Sequence, residues 1–104
     1  MKLAKGFEGA ISAIPTIQQE DNILKITRWD FEPGAVTGWH RHSWPYVVVM
    51  MTDALMRVHN GEIVSEFERK AGDSYSRNAG VEHDVMNGSS TRMSFIEIEI
   101  KRST

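Results

Sequence analysis

The sequence predicts an all-β protein, a small barrel or sandwich, and three observations carry this. Short runs alternate apolar and polar residues or are dense in β-branched ones, as in "YVVVMMT" (46–52) and "MSFIEIEIK" (93–101). Such runs fit a pleated surface with one buried face. Turn residues centred on glycine separate them, in "EPGA" (32–35), "AGD" (71–73) and "MNG" (86–88). "NG" at 60–61 stands between two strand-like runs, a strong hairpin signal. With 104 residues the chain supports one domain around one core.

Taken in order, the first 20 residues contain "FEGAISAIPTI", where Pro15 argues against a central strand. Residues 1–21 are therefore expected to be an N-terminal arm or an edge strand, and 22–104 the barrel. "NILKITRWDF" (22–31) is a strand closed by the Pro-Gly turn. "YVVVMMT" follows as a strand apolar on both faces, as a strand covered on both sides would be. "ALMRVHN" (54–60) and "EIVSEFER" (62–69) form the hairpin around "NG". "AGDSYSR" and "EHDVMNG" supply two short strands, and "MSFIEIEIK" the last. There is no internal repeat or low-complexity tract.

Composition excludes several functions. A net charge of −2 offers no basic face for nucleic acid. No apolar run is long enough for a transmembrane helix. The opening "MKLAKGFEGAISAIP" is interrupted by Gly6, Glu8 and Gly9 and does not read as a signal peptide. The default expectation is a cytoplasmic protein. Cysteine is absent, so neither disulfides nor thiolate ligands are available, and a transition metal must be held by nitrogen and oxygen.

Histidine occurs four times, at 40, 42, 59 and 83. In a strand, residues i and i+2 share a face, so His40 and His42 converge about 7 Å apart along the backbone. Two imidazoles alone bind a metal weakly, and a lone His-x-His is more often a structural pair than a clamp. A second stretch, "GDSYSRNAGVEHDVMN" (72–87), brings His83 to the start of a strand just after Gly80.

Together the two stretches resemble the paired signatures of the cupin superfamily. Gly34, His40 and His42 match the first, with Tyr46 at the usual Glu and Asp53 at the closing Gly. Gly72, Gly80, His83 and Asn87 match the second, with Asn78 in place of Pro. The resemblance spans roughly residues 22–101 and implies an antiparallel double-stranded β-helix, or jelly-roll barrel, of six to eight strands. It implies that His40, His42 and His83 ligate one divalent transition metal in the barrel mouth. Tyr46, on the Glu position, is a poor ligand at neutral pH because an ordinary phenol has a pKa of about 10. Three neutral imidazoles would leave the ion's charge uncompensated and favour an anionic or chelating small-molecule ligand. Iron is the leading choice of metal, with zinc, nickel, manganese and copper open. Asn87 is expected to cap a turn.

A metal-dependent enzyme is the first functional expectation, with a ferrous dioxygenase as the specific case and lyase or isomerase chemistry open. The second is a non-catalytic binding or sensor cupin, since fold does not fix function. Tyr46 would bond a metal-bound water or substrate, or simply fill the barrel. Arg28 would hold a substrate carboxylate from the mouth or pair with Asp30. Trp44 would form the pocket rim. Glu97 and Glu99 alternate with isoleucines and read first as a solvated face, with Glu97 as an inward acid orienting a histidine as the alternative. Glu82 and Asp84, opposite in parity to His83, read as external. His59 reads as a turn histidine. A barrel of this size leaves edges and outer faces to cover, so a homodimer is expected.

Overall fold

The computed structural model describes residues 6–8 and 10–102. Among these residues there are nine strands and no helix. They are β1 (Ile14–Glu20), β2 (Leu24–Phe31), β3 (His40–Arg41), β4 (Tyr46–Met50), β5 (Ala54–His59), β6 (Val64–Arg69), β7 (Ser74–Arg77), β8 (Glu82–Asn87) and β9 (Met93–Ile100). A five-stranded sheet runs β1-β2-β9-β4-β7 and a four-stranded sheet runs β3-β8-β5-β6. All named pairings are antiparallel. No helix among the described residues is long and apolar enough to cross a membrane.

The core lies between the sheets. Tyr46, Val48 and Met50 face inward from β4, where burial alternates as the period of two requires. Phe31, Met93 and Phe95 join them from β2 and β9, and Met56 and Val85 answer from the other sheet. The Phe31 and Phe95 rings are 5.4 Å apart, within the range of favourable aromatic pairing. Asn87 ties the connections together from a wholly buried position. Its Nδ2 donates to the carbonyls of Phe31 (3.2 Å) and Thr91 (2.8 Å), and its Oδ1 accepts from Ser89 N (2.9 Å). Its backbone also bonds the loop after β2, through Gly34 N and Ala35 O.

Three features differ from the sequence reading. The β5–β6 hairpin is not a two-residue turn. His59 pairs with Val64, and the Asn60 side chain accepts from Glu62 N and Ile63 N, both at 2.9 Å. That Asx cap widens the loop to residues 60–63, with Gly61 at φ 101°. β2 starts at Leu24 because Asp21 Oδ1 accepts from Ile23 N and Leu24 N and holds 21–23 in a turn. The third feature is the facing of β9. Glu97 pairs with Thr27 and Val48, both buried, and is itself only 9 % exposed. The solvated-face reading of these acids is therefore wrong for Glu97, and the isoleucines Ile96 and Ile98 take the outer face.

β1 runs along the edge of the five-stranded sheet against β2, and all its residues are exposed. Exposed Ile14 and Ile17 lie on it.

Replacing Asn87 with Ala should destabilise the fold by about 3 kcal/mol, since several backbone groups lose their partner in the core. Urea unfolding measures this, and a loss below about 0.5 kcal/mol would show that the side chain is dispensable.

Candidate metal centre

β3 and β8 pair so that His40 stands directly opposite His83. The ladder continues past β3, with His42 N donating to Val81 O and Gly80 N to His42 O. This holds His42 on the face it shares with His40. Three imidazoles thus come from two adjacent strands and meet at their Nε2 atoms. His40 Nε2 lies 3.0 Å from His42 Nε2, which lies 3.1 Å from His83 Nε2. A single N–H on His42 can donate to only one of these neighbours. A shared cation would satisfy both contacts at once. Ligand nitrogens about 2.1 Å from one ion lie about 3.0 Å apart at right angles and about 3.4 Å apart in a tetrahedron. The observed separations are of the size expected where His42 would share one ion with both neighbours.

The rings are orientated from behind. With its proton on Nδ1, His40 donates to the Gly38 carbonyl at 2.8 Å, which leaves Nε2 free to ligate. Gly38 adopts φ +87°, a conformation L side chains rarely take, and its N–H donates to Asp84 at 3.0 Å. Asp84 also accepts from Phe7 N at 2.9 Å and is 1 % exposed. Expected outside by parity, Asp84 does face away from the histidines, but the N-terminal segment and the 37–38 loop cover it. Thr37 Oγ1 accepts from Val85 N and lies 3.3 Å from His40 Nδ1.

Tyr46 stacks flat on His42, with centroids 3.8 Å apart and planes at 18°. Burial holds its phenol above the ordinary range, so it stays neutral. Glu97 projects into the same interior, and one nitrogen of His42 and carboxylate oxygens of Glu97 and Glu99 lie within 4.8 Å of one another. Burial, reinforced by the Glu99 charge and opposed by a hydrogen bond from Trp29, pushes Glu97 up to about 7. Burial and the His40 charge lower His42 to about 4. His83 falls to about 3 through burial and the charges of His40, His42 and Arg77. Neutral imidazoles are the form that binds metal.

A cavity of about 200 Å³ opens against His83, walled by Tyr46, Met56, Phe67, Arg69, Tyr75 and Arg77. A narrower inner lobe reaches His40, Tyr75 and Glu97. A larger open groove of about 370 Å³ lies at Asp53–Leu55 and Ser89–Thr91 and touches none of the histidines.

The remaining sequence candidates lie elsewhere. Arg28 pairs with Ile96 across β2 and β9 on the outer face and bridges to Asp30 at 3.1 Å, so it does not line the cavity. Trp44 sits half-buried under the Lys101 ammonium, 5.3 Å from its ring, and is not among the cavity walls. His59 accepts from Gly61 N at 2.9 Å and meets the Phe7 ring edge-on. Sequence reasoning missed Arg69, Tyr75 and Arg77. Tyr75 and Arg77 are two apart on β7, and Tyr46 pairs with Arg77, which puts them on the inner face. That register was the available signal, but it needs the strand partners to be read.

The sequence pattern of the family described as a cupin domain matches residues 27–99. The chain belongs to the cupin family. This cupin is 43 % identical over 93 residues to the β-alanine degradation protein BauB of Pseudomonas aeruginosa, covering 89 % of this chain and 98 % of that one. A crystal structure of a cupin domain from Bordetella pertussis matches with a TM-score of 0.87 at 45 % identity, over 92 % of this chain and all of that chain. A double-stranded β-helix protein from Klebsiella pneumoniae shares the fold, with a TM-score of 0.72 at 22 % identity over 93 % and 82 % of the two chains. The jelly-roll expectation thus holds for this cupin.

The displaced titrations set a pH dependence for the metal-free protein. The unfolded chain takes up protons on His42 and His83 below their ordinary 6.5, while the native sites stay neutral to about 4 and 3. Stability from these two is present above 6.5 and lost as pH falls. Native Glu97 keeps a proton that the unfolded carboxyl releases above 4.5, so its contribution is lost as pH rises towards 7. Between pH 5 and 6 the unfolded chain binds a net one proton more, and stability should rise by about 1.4 kcal/mol per pH unit. Thermal unfolding of chelator-stripped protein measures this. A melting temperature flat or falling from pH 5 to 6 contradicts the assignment.

Proposed function

We propose that this cupin holds one divalent transition metal on His40, His42 and His83 and acts as a metal-dependent enzyme on a small anionic or chelating acid. The single observation that carries this is the convergence of three imidazole Nε2 atoms at 3.0 and 3.1 Å beside an open cavity. Ferrous iron with dioxygenase chemistry is the specific assignment. When bound, such an ion supplies Lewis acidity and redox capacity.

The chain's own residues do the rest. Gly38 and Asp84 hold the His40 ring in its ligating tautomer. Tyr46 keeps His42 in plane and excludes water from its face. Glu97 lies in the narrow inner lobe with His40 and His83, where its carboxyl can exchange a proton with a substrate. The cavity is walled by aromatic rings but not filled by them, which favours turnover over a purely structural role. The BauB relative, named for β-alanine degradation, supports a place in the breakdown of a small carboxylate. We further place the protein in the cytoplasm as a homodimer, supported by the apolar outer face of β9 and the exposed isoleucines of β1. Light scattering should return twice the chain mass.

Elemental analysis of protein made in iron-supplemented medium should find stoichiometric metal, and His42→Ala should remove most of it. Oxygen uptake should follow addition of small hydroxy, amino or keto acids. Metal retained in a His40→Ala/His42→Ala double variant would rule out this ligand set.

A further inference from the structure

β6 and β7 are each one edge of their sheet, and their inward side chains wall the cavity beside His83. Arg69 ends β6, with its guanidinium 4.9 Å from the Phe67 ring and 4.1 Å from the Tyr75 ring. Arg77 ends β7 and lies 4.6 Å from the same Tyr75 ring. The Tyr46–Arg77 register places Arg77 next to the tyrosine that stacks on His42.

Among the described residues these cations lack anionic partners. The ion pairs among the described residues involve Arg28, Arg57, Arg92 and Lys101, not Arg69 or Arg77. Arg69 Nε is buried with no hydrogen-bond partner. Arg77 donates only to the neighbouring Ser76 carbonyl. The Tyr75 hydroxyl has a thioether, Met56 Sδ at 3.5 Å, as its acceptor, a weak one. A buried donor left without an acceptor is costly and uncommon unless a ligand completes it. Glu82 also lines the cavity, but one carboxylate against two guanidinium groups leaves the wall positive.

Stacking explains how this wall would recognise a ligand. A guanidinium lying over a ring is fixed in orientation yet keeps its in-plane N–H groups free, which is the fork that matches a carboxylate. We propose that Arg69 and Arg77, held on Tyr75, form a carboxylate subsite, so that the ligand is a small acid with one end on this pair and its reacting end at the histidine centre. This rests on the metal-site reading of His40, His42 and His83. It goes further in assigning the anchoring end of the substrate to residues that sit apart from the ligands.

The test uses cobalt-loaded full-length protein titrated with malonate, which offers a carboxylate to each end, and separately with azide, which offers only a metal-seeking anion. Visible absorption reports the metal environment, and calorimetry the affinity. Arg77→Gln and Arg69→Met should each weaken malonate by about tenfold or more. Azide affinity should change by less than about threefold, and cobalt content should stay stoichiometric. Arg69→Lys should recover part of the loss, because it restores charge but not the fork. Unchanged malonate affinity in the double variant, or equal losses for malonate and azide, overturns the subsite. Failure of the wild-type protein to hold cobalt on its histidines refutes the metal reading instead. Arg77 is exposed, so Arg77→Gln decides the matter if Arg69→Met does not fold.

Discussion

Asp84 is a carboxylate at 1 % exposure, and it accepts from the backbone N–H groups of Phe7 and Gly38. A buried charge is tolerable only when such donors surround it. By taking Gly38 N–H it fixes the left-handed glycine that presents a carbonyl to His40. Its neighbour on β8 is His83, which points the other way into the barrel. One strand therefore carries His83 on one face and the anchor of the His40 loop on the other. The two cannot be displaced separately, because moving β8 by one residue would exchange their faces.

The five-stranded sheet inverts the usual order of polarity at β9. Its acids Glu97 and Glu99 lie towards the site, and its isoleucines lie outside. Enclosing Glu97 raises its proton affinity, a cost offset in part by the Trp29 hydrogen bond. The outer isoleucines remain half-covered within the single chain. Acids inside and apolar surface outside are two results of the same strand orientation.

This inversion also marks where the sequence stops being readable. Alternation in "MSFIEIEIK" shows two faces but does not say which is interior, and the apolar face is the natural choice. The interior here takes the acids at 97 and 99, so the rule points the wrong way for them. The histidines were more legible, because ligand chemistry depends on residue type and spacing, and 40, 42 and 83 are brought together by one strand pair. Glycines at 34, 72 and 80 were legible for a related reason: all have positive φ. Arg28 and Arg77 were indistinguishable in sequence, each an arginine on a strand. Only the pairing of β2 with β9 and of β4 with β7 separates an outer position from an inner one. Asp84 was missed because burial of a charge depends on the N-terminal segment folding over it from 77 residues away.

β6 and β7 are each hydrogen-bonded on one side only. The three histidines sit instead on and just beyond the β3–β8 pair, at the opposite edge of the sheet that β6 closes. The cavity wall is thus mechanically separate from the strand pair that holds the three imidazoles. Side chains at 67, 69, 75 and 77 can be exchanged, or the two edges can spread, without breaking a ladder bond that positions an imidazole. Such a layout lets the wall be remodelled while the three imidazoles keep their places.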